Sequence, residues 1–250
     1  MTTLSLAVTH ARYSLLETAR TPIAIISALA FPALALLFFV VPQQVVASNP
    51  LWATQAVISL SVFAVMSNSL FSFGLSIAED REKPWDPYLR TLPVPGVARV
   101  LAYIFSIGLI GFAAILPVIV IGGVWTAAEA SLGGILFGLV ALVVSSLPFM
   151  LIGIAIGYSM PSKAAIAVVQ IVMFGFAFAG GLFLPPQMFA DWLNTISKFF
   201  PSRHAREFVI WAVQGGELEW WVWVGLLVWT AVMTVVALWL FRRDEGRRYR

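Results

Sequence analysis

The chain of 250 residues contains no cysteine, only two histidines (His10 and His204), and charged residues amount to just 11% of it. Without cysteine there is no disulfide framework, no thiolate metal site and no cysteine nucleophile, and two histidines so far apart in sequence do not suggest a metal site. The redox compartment leaves no trace in such a chain. Globular domains are about 25% charged and about 45–50% apolar, whereas 60% of this chain is apolar and its mean hydropathy is +0.93. Too few charged side chains remain to cover a water-facing surface, so the solvent is lipid. A phosphate-cradling Gly-x4-Gly-Lys-Ser/Thr loop is missing too: the nearest stretch, Gly157 to Lys163, carries Ser162 where the second glycine belongs. No catalytic residue and no metal ligand is predicted, and energy for any uphill movement must enter from a partner. The net charge of +3 reports orientation in the membrane before it reports any nucleic-acid partner, and none is predicted.

What is present is long apolar runs. A helix needs about 20 mostly apolar residues to cross a hydrocarbon core about 30 Å thick, and six such runs are predicted: Pro22 to Val41, Leu51 to Ile77, Arg99 to Val124, Leu132 to Met160, Ala164 to Leu184 and Trp220 to Phe241. The fold class is therefore all-α, a single polytopic membrane domain over residues 1–250 with six transmembrane helices. Residues 1–21 do not read as a secretory signal, because Arg12, Glu17 and Arg20 interrupt them. Leu4, Val8, Ala11, Leu15 and Ala19 share one face there, which predicts an amphipathic helix lying on the membrane interface. With both termini inside, twelve basic residues of the loops and ends fall on the cytoplasmic side and only Lys198, Arg203 and Arg206 outside, so the positive-inside preference puts both ends in the cytoplasm. A basic tail, 242–250, closes the chain.

Within the spans no Asp, Glu, Lys or His stands away from the ends, which argues against proton or ion relays. Ser61, Asn68, Ser72 and Ser76 fall on one face of the second span, either as hydrogen-bonding helix glue or as a translocation wall. Gly134 with Gly138, Gly153 with Gly157 and Gly175 with Ala179 recur at four residues and predict close helix packing. In the fifth span Phe174, Phe176, Phe178 and Phe183 gather near Gly180 and Gly181, with Gln170 a turn earlier. They are lipid-facing or core filling, or the walls of an apolar path.

Two loops carry more information. Residues 78–96 contain Glu79, Asp80, Arg81 and Glu82, then Trp85, Tyr88, Leu89 and Leu92 at three- and four-residue steps, a short amphipathic helix suited to the lipid interface or to docking on a soluble partner. Residues 185–219 are too long for a plain turn and hold Met188, Phe189, Trp192, Leu193 and Ile196 at helical spacing.

The run Asp80-Arg81-Glu82, a short helix, then Leu89 to Val94 (Leu-Arg-Thr-Leu-Pro-Val) resembles the cytoplasmic loop of ATP-binding-cassette type-2 permeases, and residues 181–216 resemble that family's outer segment. Pro84-Trp85 stands where the family usually has Gly-Thr. The resemblance implies a coupling helix (Glu79, Asp80, Arg81, Glu82, Trp85, Tyr88, Leu89) docked on an ATPase. It also implies a re-entrant pair of outer helices, with an outer gate expected at Phe183, Pro185, Met188 and Trp192, and it brings the second and fifth spans near a dimer axis, where Ser61, Asn68, Ser72, Gln170, Phe174 and Phe178 are the expected lining of a path. It further implies a second permease copy, identical or similar, two copies of a separate ATPase that bind ATP and magnesium, and no cofactor in this chain. The uncharged interior favours a lipophilic or amphipathic, drug-like cargo leaving across a bacterial cytoplasmic membrane. Lipid or glycan export by the same family is the alternative, and an ATPase-independent channel or secondary carrier is the rival class.

Overall fold

The computed structural model describes residues 30–84, 111 and 113–248. The amphipathic 1–21 stretch and Trp85, Tyr88 and Leu89 of the coupling helix lie outside the described residues, as do the opening parts of the first and third spans. Every described element is helical.

Four described helices are long and apolar enough to cross a membrane: α3 (Pro50–Glu82), α5 (Leu132–Ser159), α6 (Ser162–Ala179) and α9 (Trp220–Arg248). Two shorter apolar helices, α1 (Ala30–Val40) and α4 (Ala113–Trp125), are the described parts of the first and third predicted spans. The last turn of α1 widens to a π-helix at Leu36–Val40, and a one-turn helix, α2 (Gln44–Ala47), leads into α3. Between α6 and α9 come a 3₁₀ turn at Pro186–Met188, α7 (Asp191–Ser197) and α8 (Pro201–Gln214).

Local chemistry sets most boundaries. The Asn49 side chain accepts from Leu51 N and Trp52 N at 3.0 and 3.3 Å and Pro50 takes the first helical position, which together start α3. Ser131 caps α5 in the same way, accepting from Gly134 N at 3.0 Å. Lys83 and Met160 are each extended before a proline, which ends α3 and α5. Gly215, at φ 76, ends α8 in the left-handed region open to glycine.

Three predicted boundaries move. Helix α3 continues through Ala78–Glu82, which the sequence assigned to the loop, because tertiary bonds at Arg81 and Glu82 hold its last turn. Helix α6 stops at Ala179 rather than Leu184, since Gly180 and Gly181 turn the chain back under α8. Helix α9 runs to Arg248, so most of the basic tail extends the span.

The core is built on α3, whose Phe63, Met66 and Leu70 are fully buried. Helix α5 crosses it where Gly153 and Gly157 remove side chains: a methyl on Gly157 would stand 2.9 Å from Gly74 O and 2.8 Å from Ile77 Cβ. Gly134 and Gly138 of the same helix admit α8, with Val213 filling the space a methyl would need. Close packing is thus found for two of the predicted small-residue pairs. At Gly175 it is not, for a methyl there would meet nothing within 4 Å.

At the end that also carries α7 and α8, Ala127 N donates to Ala47 O at 2.7 Å, joining the 126–131 connection to α2, and Glu129 N donates to Thr54 Oγ1 at 3.0 Å, joining it to α3. Trp52, Trp125, Trp192 and Trp220 are exposed at that end, the pattern of an interfacial aromatic belt.

Candidate functional site

The end opposite α8 holds what the sequence marked as the start of the coupling loop. Arg81 Nη2 and Nε donate to Asp244 Oδ1 of α9 at 2.6 and 3.1 Å, while Nη1 donates to Gly157 O at 2.7 Å and Met160 O at 3.3 Å. One guanidinium therefore joins three helices and satisfies the open carbonyls at the C-terminus of α5. Its Cζ also lies 5.9 Å from the Tyr158 ring centroid. Glu82 accepts from Ser162 N at 2.9 Å and Ser162 Oγ at 2.7 Å, so its carboxylate caps α6. Asp80 pairs with Lys83 at 2.6 Å, and Glu79 is exposed. Arg81 and Glu82 thus tie α3 to α5, α6 and α9 within the chain, and Glu79 is left facing outward.

The predicted path residues separate into two groups. Ser61 Oγ donates to Val57 O at 2.8 Å, and Ser72 Oγ to Asn68 Oδ1 at 3.3 Å. Asn68 is buried beside Gly111, where a methyl would stand 2.8 Å from Asn68 Nδ2. This polar line is therefore turned toward the third span. The aromatic residues lie on the other side of α3, because five residues at about 100° each carry Asn68 roughly 140° around the helix from Phe63. Phe63 packs on Phe183 with ring centroids 4.7 Å apart and on Phe31 at 5.6 Å. Phe178 meets Phe183 at 5.2 Å, and Phe174 meets Phe31 edge-on at 6.3 Å. Gln170, Phe174 and Phe178 form one exposed face of α6, a helix whose apolar window is only 22% buried against the rest of the chain. Of the predicted gate residues, Phe183 joins this aromatic group; Pro185, Met188 and Trp192 are exposed on the segment leading to α7 and in α7 itself. The two predicted walls do not face one another within the chain.

Phe31 belongs to the aromatic wall and sequence reasoning missed it. A single phenylalanine in the middle of a long apolar run has no signal that sets it apart.

A second group missed by sequence reasoning lies in α8, whose Arg203 and Arg206 were counted as loop charges. Helix α8 packs against α3, α5, α6 and α9, and Arg206 keeps only 2% of its surface. Its Nη1 donates to Glu207 Oε1 at 2.6 Å, its Nε to Ser59 Oγ at 2.9 Å and its Nη2 to Gln55 Oε1 at 3.4 Å, both of the latter on α3. Arg203 Nε lies 3.1 Å from the same Glu207 oxygen, close enough for an ion pair but without hydrogen-bond alignment. His204 Nε2 is 2.7 Å from Lys198 O. A carbonyl only accepts, so Nε2 carries the proton and the buried Nδ1 has no hydrogen-bond partner among the described residues. Burial holds the pKa of His204 below its ordinary value, and the Arg203 charge adds to that, against the opposing pull of the Lys198 carbonyl. The ring lies over Gly225 of α9, where a methyl would overlap it. A search for Ser-Arg-His-x-Arg on a helix opened by Phe-Pro would have found the group, but only packing reveals its burial.

The described long helices are apolar along their middles and carry their charges at their two ends, the pattern of a membrane protein. Comparison with known proteins supplies the family. Over 195 residues the chain is 21% identical to a Bacillus subtilis (strain 168) protein named "Putative transport permease YvfS", covering 78% of this chain and 80% of the relative. The family model for ABC-2 type transporters matches residues 8–213, most of the sequence, and the chain belongs to that family.

Proposed function

We propose that this protein is the permease of an ATP-driven exporter that moves a lipophilic or amphipathic, drug-like compound outward across a bacterial cytoplasmic membrane. It acts as a pair of permease chains with two copies of a separate ATPase that bind ATP and magnesium. In this reading the chain crosses the membrane six times with both termini cytoplasmic, the Arg81 end faces the ATPase, and the 185–219 segment enters the outer leaflet from outside. Residues 79–92 receive the ATPase stroke, and the Arg81 and Glu82 bonds pass it to α3, α5, α6 and α9.

The observation that carries the reading is the uncovered face of α6. Gln170, Phe174, Gly175 and Phe178 lie along it, Phe31 continues it, and Gly175 leaves room for a close backbone approach. A second copy on this face would complete an aromatic-walled path with one amide per chain, suited to an uncharged or amphipathic cargo.

The chain has no cysteine of its own, so Gly175→Cys gives a single reactive site. In native membranes an oxidant should convert the variant to a disulfide-linked dimer, and Phe178→Ala should change resistance for some lipophilic compounds and not others while the melting curve stays put. A variant that remains monomeric after oxidation, together with an unchanged resistance panel, overturns both the pairing and the path.

A further inference from the structure

A cavity of about 230 Å³ lies between α3, α4, α5 and α8, at the α8 end of the bundle. Ile58, Ile119, Leu139 and Val209 supply one aliphatic wall each from those four helices. It lies on the Ser61 side of α3, away from Phe63 and the aromatic face, so it is separate from the proposed path. An apolar cavity of about 150 Å³ stays dry and takes up benzene, whereas drug-sized ligands need about 300 Å³ or more. The space therefore suits a length of alkyl chain better than a bulky cargo.

The rim differs from the walls. Thr54 Oγ1 donates to Pro50 O at 2.7 Å and accepts from Glu129 N at 3.0 Å, so the backbone there is satisfied. The Glu129 carboxylate is exposed and makes no hydrogen bond or ion pair among the described residues. Gly123 borders the cavity as well, and a methyl on it would meet nothing within 4 Å. An aliphatic hole bordered by a single uncommitted carboxylate matches a molecule with an alkyl tail and a positive head.

We propose that this cavity binds the alkyl chain of a cationic amphiphile, with the tail among Ile58, Ile119, Leu139 and Val209 and the ammonium head at Glu129. The site does not depend on the direction of transport or on the ATPase.

The test uses the full-length protein in lipid nanodiscs and a dodecylammonium probe carrying a diazirine at the chain end. Photolysis followed by mass spectrometry should place adducts on Ile119, Leu139 or Val209. Dodecyltrimethylammonium should compete better than dodecyl sulfate by about three- to fivefold, the scale of an exposed ion pair. Glu129→Gln, a surface change that leaves the fold alone, should erase that preference while tail labelling persists. Gly123→Phe should fill the space and abolish labelling inside it; Gly123→Leu serves if the larger ring disturbs the fold. Adducts spread over outward-facing residues such as Leu136 and Val140 would overturn the site, and equal competition by the two surfactants would overturn the cationic head. Extraction of the native protein then separates the sources: a co-purifying amine lipid marks a membrane component, and its absence marks a soluble amphiphile.

Discussion

The two ends of α3 are held by arginines of opposite character. At the α8 end Arg206 reaches into the bundle from a neighbouring helix, is almost fully enclosed, and shares one carboxylate, Glu207, with Arg203. At the other end Arg81 belongs to α3 itself, keeps 20% of its side chain exposed, and spreads its donors over Asp244 and two backbone carbonyls. Two guanidiniums on one carboxylate leave surplus positive charge in a poorly solvated place, where removing a partner is expensive. One guanidinium with several acceptors and partial access to water can exchange partners at modest cost. The α8 end is thus the harder of the two to open and the Arg81 end the easier one to rearrange, a difference that fits the coupling role proposed for the Arg81 end.

Glu207→Leu is the severest way to test that contrast. It removes the carboxylate that Arg203 and Arg206 share, leaving Arg203 only the weaker pull of Glu219, and a loss on the order of 3–5 kcal/mol is expected, read as a collapse of the melting temperature in mild detergent. If the variant melts like the parent, the enclosed end is not the rigid one and the comparison fails.

Asp244→Asn comes next. It keeps the size of the side chain and removes one charge from the Arg81 bonds, with an expected cost of about 1–3 kcal/mol. Because water reaches this pair, the difference from the parent should shrink as salt is raised. In the proposed function, transport should fall by more than the lost stability accounts for; a loss of transport that only tracks melting would make this end as purely structural as the other.

The smallest effect is expected at His204 and separates the ends by pH. Its pKa in the fold lies below the ordinary value of 6.5, so the unfolded chain binds the proton more readily. The stability linked to this depressed pKa is therefore fully present above about pH 6.5 and is lost as pH falls from there through the lowered value, by about 1.4 kcal/mol per pH unit at most. Melting curves taken downward from pH 7 should show the decline, and His204→Gln, which keeps a donor for the Lys198 carbonyl but does not titrate, should flatten it. An identical decline in the variant would assign the pH dependence to other groups.

How much of this was open to reading from the residues varies with the interaction that decides each feature. Apolar runs longer than a bilayer is thick announce α3, α5 and α9 by themselves, and Asn49-Pro50, Ser131 and Phe200-Pro201 announce helix starts, because both signals are local. In the outer segment the helical spacing of Trp192, Leu193 and Ile196 announced α7 in the same way. Residues 78–82 were misassigned for the opposite reason: a stretch as charged as Ala-Glu-Asp-Arg-Glu reads as loop until Asp244, Gly157 and Ser162, distant in sequence, supply its partners. The polar line and the aromatic line of the candidate path were each visible, but their relation was not, since helical periodicity gives faces without saying which neighbour covers each face.

The sequence by itself determined the solvent, the helical class and the confinement of charge to helix ends, because transfer of apolar and charged groups into lipid is a property of each segment taken alone. Only the tertiary structure decided that Arg203, His204 and Arg206 are buried instead of dissolved in an outer loop, that Arg81 binds Asp244, and that Gly175 and Phe178 remain uncovered. Those facts depend on which surfaces meet, and that follows from the shapes of several helices packed at once, with glycine-lined crossings at Gly153, Gly157, Gly134 and Gly138 setting how near they come.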